Sequence, residues 1–434
     1  MNSILGEKLR LPCGAILPNR IAKAAMTEGL ADAADRATEA HVTLYRRWSR
    51  GGAGLLITGN VMVDRRFLER PGNVVIDKNG GMEQLRAWAR AGTEAGNHLW
   101  MQISHPGRQS SRTSTRQPLS PSGVQLRLAG MFARPRAMTE KDIEDAIQRY
   151  GRVAGVARDA GFTGVQVHGA HGYLISQFLS PVTNRRDDRW GGSLENRARF
   201  LLEAVRAVRG QVGPDYPVGV KLNSADFQKG GFSLEECVRV AGWLGQAGID
   251  LLEISGGTYE QPRLLDHRGE ADSYDEPVRE STRRREAYFL EYASAIQAAA
   301  RVPLMVTGGF RTRRAMEDAV SSGEADVIGL ARPLCVDPEL PRRLIEAAID
   351  QCDSPERRLR LGPGRLLGPA SPVFLMKFLN VQGEVAWFYR QIIRLAKGQV
   401  PATDLRLGRA LVEHFRDEIR LSRRRTFRAD EGAV

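Results

Sequence analysis

Three side chains within six residues could act together on one oxygen atom. They are His168, His171 and Tyr173 in the run His168-Gly169-Ala170-His171-Gly172-Tyr173. The histidine pair has two readings. Spaced three apart, the imidazoles could ligate a metal, but no Asp or Glu lies between Asp159 and Asp187 to complete such a site. As neutral donors they could polarise a substrate carbonyl, with the Tyr173 phenol beside them as a proton source, and this reading fits better. A second group of residues suits an anion. Thr307-Gly308-Gly309-Phe310 and Ala331-Arg332 each follow a short apolar run. Paired glycines let backbone N–H groups approach a phosphate closely, and a guanidinium adds a two-pronged contact. The alternative is that the glycines only turn the chain. Residues 175–193 are polar and then Gly-rich, which by composition reads as a loop leading into a helix cap.

These residues need a scaffold that brings strand ends together. Apolar runs at 21–25, 54–58, 99–103, 164–168, 218–222, 251–254, 304–307 and 327–330 read as strands, each apolar on both faces. Helical patterns alternate with them at 39–50, 82–95, 140–160, 194–212, 234–247, 286–299 and 313–322. Ser233 with Glu236 forms a capping-box signature and Thr139 with Asp142 a weaker one, while Gly161, Gly213, Gly248 and Gly323 mark helix ends. Eight such alternations predict an α/β protein, a (β/α)8 TIM barrel over residues 1–354. Neither G-x-G-x-x-G nor G-x-x-x-x-G-K-[ST] occurs, which excludes a Rossmann fingerprint and a P-loop. In a barrel the reacting groups sit at the C-terminal ends of strands, where His168, Gly308-Gly309 and Ala331-Arg332 all fall. The connections 104–138 and 255–285 are too long for turns. They read as lids over that face, or else as flexible decoration. Within them Arg108, Tyr259 and Arg283 are candidates to face a substrate.

Residues 355–434 break the alternation. A Gly/Pro linker at 362–372 precedes helical patterns at 374–395 and 405–421, so a basic helical C-terminal extension is expected. The chain has 434 residues and a net charge of +12, with ordinary apolar (42%) and charged (26%) fractions that argue against disorder. The extension holds 16 basic and 8 acidic residues, so most of the excess charge is local to it. No nucleic-acid partner is expected, because the tail carries no motif for one. An oligomeric, membrane-surface or other peripheral contact would be sought in this extension. Cys13, Cys237, Cys335 and Cys352 lie too far apart for a disulfide framework, a zinc site or an iron–sulfur cluster, which points to a cytoplasmic protein. No apolar run approaches the roughly 18 residues of a membrane span, and residues 1–10 lack the apolar core of a signal peptide.

The segment HGAHGYLISQFLSPVTNRRDDRWGGSLENRARF (168–200) resembles the signature stretch of the old yellow enzyme family of FMN-dependent oxidoreductases. NRIAKAAMTE (19–28), QISHPGRQ (102–109), PRAMTEKDIEDAI (135–147), TGGFRTR (307–313) and ADVIGLARPL (325–334) match in the family's order, so the resemblance covers residues 5–350. It implies FMN at the mouth of the barrel. Ala24, Ala25, Met26 and Thr27 match the segment that holds the isoalloxazine. Asn60 matches the strand-2 contact, Gln102 the residue at the pyrimidine edge, and Lys221 the cation near N1 and O2. Gly308, Gly309, Ala331 and Arg332 match the phosphate cradle. His168 and His171 match the pair that binds the substrate's oxygen, and Tyr173 the acid. NADH or NADPH would reduce the flavin, and a small activated alkene would then be reduced in the same site. Three residues depart from the pattern: Ala25 where Pro is common, Lys221 where Arg is usual, and Gly59 where a Glu often precedes the strand-2 contact. The resemblance leaves open amine or methyl-group oxidation, or reduction of a dienoyl thioester, on the same barrel. A non-catalytic binding protein working through the basic tail is a further alternative.

Overall fold

The computed structural model describes residues 3–128, 130–226, 228–255 and 290–427. Eight short strands rich in β-branched and aliphatic residues pair in parallel and close into a ring. They are β1 (Ile21–Lys23), β2 (Leu55–Ile57), β3 (His98–Ser104), β4 (Gly164–Gly169), β5 (Val218–Asn223), β6 (Leu251–Ser255), β7 (Leu304–Thr307) and β8 (Val327–Leu330). The ring closes where β8 lies against β1, with Ile328 beside Ile21, and where Leu55 of β2 lies beside His98 of β3. Each strand falls within two residues of its predicted run.

Amphipathic helices return the chain from each strand to the next. They are α1 (Glu39–Ser49), α2 (Met82–Gly92), α3 (Glu140–Asp159), α4 (Leu194–Val212), α5 (Leu234–Gln246), α6 (Leu290–Ala300) and α7 (Arg313–Ser321). Both predicted capping boxes form, at Thr139 with Asp142 and at Ser233 with Glu236. A (β/α)8 barrel with its helices outside is therefore the fold.

The interior has two layers. Near the strand starts, Ala22, Leu55, Trp100, Leu251, Met305 and Val327 pack with Leu9, Leu11 and Leu17 of an N-terminal hairpin, Leu9–Arg10 paired with Ile16–Leu17. The hairpin is tied to that end of the barrel, where the Cys13 N–H donates to Asp250 Oδ1 at 2.8 Å. Toward the strand ends the inward residues turn polar: Gln102, Gln166, Lys221 and Glu253 are all buried. The expectation of strands apolar on both faces fails here, because this layer forms the floor of a site and is not packing alone.

The long connection 104–138 has structure of its own. Gly107–Gln109 form a single turn, and Leu119–Ser120 pair with Arg136–Ala137. The other predicted lid, with Tyr259 and Arg283, lies outside the described residues beyond Ser255. The predicted helical extension forms α8 (Phe374–Ala396) and α9 (Leu407–Arg424). Trp387, Phe388, Ile392 and Leu395 of α8 and Leu407 and Ala410 of α9 join the same apolar core as the barrel helices. No helix among the described residues is long and apolar enough to cross a membrane.

Candidate active site at the mouth of the barrel

The end of β4 and the turn after it bring His168, His171 and Tyr173 together. The His168 ring lies 5.1 Å from the His171 ring and 4.9 Å from the Tyr173 ring, centroid to centroid. The Ala170 N–H donates to His168 Nδ1 at 3.2 Å. An accepting Nδ1 leaves the ring proton on Nε2, free to be donated elsewhere. His171 adopts φ 61°, a left-handed conformation that few non-glycine residues take. Its N–H is held by Asn223 Oδ1 at 3.0 Å, and its Nε2 lies 3.0 Å from Ser255 Oγ at the end of β6. Burial, and then the positive charge of Lys221, push both imidazoles well below the ordinary histidine range. Both rings are therefore neutral at neutral pH, which suits hydrogen-bond donors to a carbonyl.

The stretch that composition reads as a loop begins instead with a short helix, Leu174–Leu179, whose side chains are all buried. Its Gln177 organises the turn. Gln177 Nε2 donates to Gly172 O at 2.7 Å and to Pro106 O at 3.2 Å, while its Oε1 accepts the Arg108 N–H at 3.1 Å. Arg108 is thus buried against the turn that carries the histidines.

A chain of hydrogen bonds crosses the floor. Gln102 Nε2 donates to Gln166 Oε1 at 2.7 Å, and Gln166 Nε2 donates to Glu253 Oε2 at 2.7 Å. Glu253 Oε1 then pairs with Lys221 Nζ at 2.7 Å. Sequence reasoning found Gln102 and Lys221 but not Gln166 or Glu253. The signal was present, since Gln166 stands two residues before His168 and Glu253 two before Ser255, on the same inward faces.

The wall beside β1 and β2 holds Ala24, Ala25, Met26, Thr27 and Asn60. Thr27 Oγ1 donates to Glu69 Oε2 at 2.8 Å, and Asn60 Nδ2 donates to the same oxygen at 2.9 Å. Asn60 Oδ1 is buried with no hydrogen-bond partner. The absent carboxylate at position 59 has a substitute from the segment that follows β1. Glu28 Oε1 accepts the Gly59 N–H at 2.9 Å, and a Cβ on Gly59 would stand 2.3 Å from Glu28 Oε2. Behind it the Tyr45 hydroxyl bonds Glu28, and Lys23 Nζ donates to Ile57 O at 2.6 Å. Burial raises the Glu28 carboxyl and lowers the Lys23 ammonium to about 8.

The adjoining wall comes from β7 and β8, since β8 pairs with β1. Gly308 and Gly309 have φ of 126° and 83°, which turns their backbone in a way side chains would resist. Thr307 Oγ1 is buried without a partner, and a Cβ on Gly329 would lie 1.9 Å from it. Arg332 follows Ala331 and pairs with Glu384 of α8 at 3.1 Å. The sequence reading set the extension apart from the catalytic region, but one of its carboxylates reaches the predicted phosphate arginine. The donor set fits a flavin phosphate and ring: orphaned polar atoms on both walls, a positive-φ glycine pair at the end of β7, and an arginine at the end of the neighbouring β8.

The sequence matches the NADH:flavin oxidoreductase / NADH oxidase family over residues 14–351. An NADH-dependent flavin oxidoreductase of Talaromyces variabilis is 35% identical over 422 residues, covering 91% of this chain and 98% of that protein. Another, from a Neonectria species, is 37% identical over 360 residues, but the match spans 78% of this chain and only 47% of that protein. Among solved structures, an old yellow enzyme homologue from Zymomonas mobilis superposes with a TM-score of 0.67 at 26% identity, covering 81% of this chain and 94% of the other.

Proposed function

Because the chain belongs to the NADH:flavin oxidoreductase / NADH oxidase family, a flavoenzyme family that includes old yellow enzyme, we propose that it reduces the activated C=C bond of a small molecule with electrons from NADH or NADPH. The acceptor would be an α,β-unsaturated carbonyl or a close relative. Ala24, Ala25, Met26, Thr27, Asn60, Gln102 and Lys221 would hold the FMN ring, and Gly308, Gly309, Ala331 and Arg332 its phosphate. FMN held there would supply the redox chemistry, carrying hydride from the nicotinamide to the β-carbon of the alkene.

The protein does the rest. The His168 Nε2–H donates to the substrate oxygen and draws electron density away from the β-carbon. This contact strengthens as negative charge gathers on oxygen, so it favours the transition state over bound substrate. Because the ring is neutral, it donates a hydrogen bond without surrendering its proton. His171 supplies a second polar contact, held in place by Asn223 and Ser255. The Tyr173 phenol gives its proton to the α-carbon. A phenol is a weak acid, yet an enolate-like carbon is basic enough to take that proton.

The observation that carries this reading is the neutral His168 with its Nε2 proton fixed, packed edge-on against Tyr173. Phenols mimic the enolate oxygen and should bind to the oxidised protein through this pair. His168→Ala with His171→Ala is expected to abolish phenol binding in an absorbance titration while FMN stays bound. Undiminished phenol affinity in that variant would refute the assignment.

A further inference from the structure

We propose that Glu253 is a positioning residue that lowers the electron affinity of the bound flavin by compensating the charge of Lys221. This rests on the flavin reading above. Lys221 and Glu253 are register partners on the adjacent strands β5 and β6, so their side chains enter the barrel at one level. Both are buried, and the ammonium meets Glu253 Oε1 at 2.7 Å. The carboxylate cannot swing away, because Gln166 Nε2 holds its other oxygen and Gln102 holds Gln166 in turn. Among the described residues neither charge makes another ion pair.

An unpaired ammonium in this dry layer would act as a full positive charge on whatever lies above it. With the carboxylate attached, the pair is a dipole whose field falls off faster with distance. A flavin over a bare Lys221 would accept electrons readily and release them reluctantly. Over the compensated pair it accepts them less readily and passes them to an alkene more easily. Glu253 therefore acts through Lys221, and its effect must appear in the flavin's electron affinity.

Glu253→Gln keeps the size and the bond to Gln166 but removes the charge. The holoenzyme is titrated with sulfite, which binds oxidised flavins more tightly the more electron-poor they are, and its midpoint potential is measured by dye equilibration. The expected result is a sulfite Kd lowered about tenfold or more (about 1.4 kcal/mol) and a potential shifted positive, with Glu253→Asp close to wild type. If Glu253→Gln does not accumulate, Gln166→Met, which releases Oε2, should shift both quantities in the same direction by less. FMN-loaded Glu253→Gln protein with wild-type sulfite affinity and potential overturns the proposal. So does an unmoved Gln166→Met where that variant stands in, or a Glu253→Asp variant displaced as far as Glu253→Gln. Wild-type protein that binds no FMN overturns the flavin reading and this proposal with it.

Discussion

His168 and His171 are neutral groups held by their neighbours, with Tyr173 packed against the His168 ring. The Ala170 N–H places the His168 proton, while Asn223 and Ser255 fix His171. Tyr173→Phe removes the only proton assigned to the α-carbon, so alkene reduction should slow by about 10²-fold, with FMN content and reduction by nicotinamide unchanged. An unaltered rate in stopped-flow mixing would remove Tyr173 from the account. Both imidazoles lie far below the free histidine pKa of about 6.5, so neither changes charge near neutrality. The alkene half-reaction should therefore show no ionisation of about pKa 6.5. A clear acid limb there would mean that a histidine acts as a cation. These three residues were legible from sequence because they sit within six positions. Glu253 and Gln166 were not, because a strand read as wholly apolar hides the polar residues on its inward face.

The strands and helices were legible almost to their ends, since periodicity and caps are local. What joins α8 and α9 to the barrel was not, because its partners lie hundreds of residues apart. Arg425, just past α9, pairs through three nitrogen–oxygen contacts with Asp35 in the connection after β1, and both side chains are buried. Arg70 stacks on Tyr389 of α8 at 3.8 Å and pairs with Glu418 of α9 at 3.0 Å. Its neighbour Glu69 bonds Thr27 and Asn60, so the extension braces the wall beside β1 and β2. Arg425→Met leaves the Asp35 carboxylate buried and unpaired, which should cost about 3 kcal/mol in urea unfolding. Adding Asp35→Asn should recover much of that loss. A single variant as stable as wild type would show that the arm is not anchored there.

For the molecule as a whole, the sequence places most of the excess positive charge in the extension, apart from the catalytic barrel. The structure joins them, since Arg425 of the extension pairs with Asp35, and its carboxylates Glu384 and Glu418 pair with Arg332 and Arg70 of the barrel. Cutting the chain at residue 361 removes Glu384 from Arg332 and strips Trp387, Phe388 and Leu395 from the shared core. The truncated protein is expected to be poorly folded and to retain little FMN. A stable yellow truncation would contradict the bracing role. Acid should also unfold the intact protein early. His41 and His414 are pushed down to about 3 and His105 to about 4, chiefly by burial, and His168 and His171 are pushed down as well. The unfolded chain binds these protons below about pH 6.5 and the folded chain does not, so stability falls as pH drops through that value, by up to about 1.4 kcal/mol per pH unit for each such group. Urea midpoints that stay level from neutral pH down to about pH 5 would show that these histidines titrate in the folded state.

Reduction of an activated alkene at His168, His171 and Tyr173 is the reaction proposed for this site. It is tested most directly by reducing the protein anaerobically with NADH or NADPH, adding 2-cyclohexenone, and following the return of oxidised flavin absorbance. Full reoxidation with formation of cyclohexanone is expected, slowed in Tyr173→Phe and lost in the double histidine variant. Reduced flavin that no activated alkene reoxidises would contradict it.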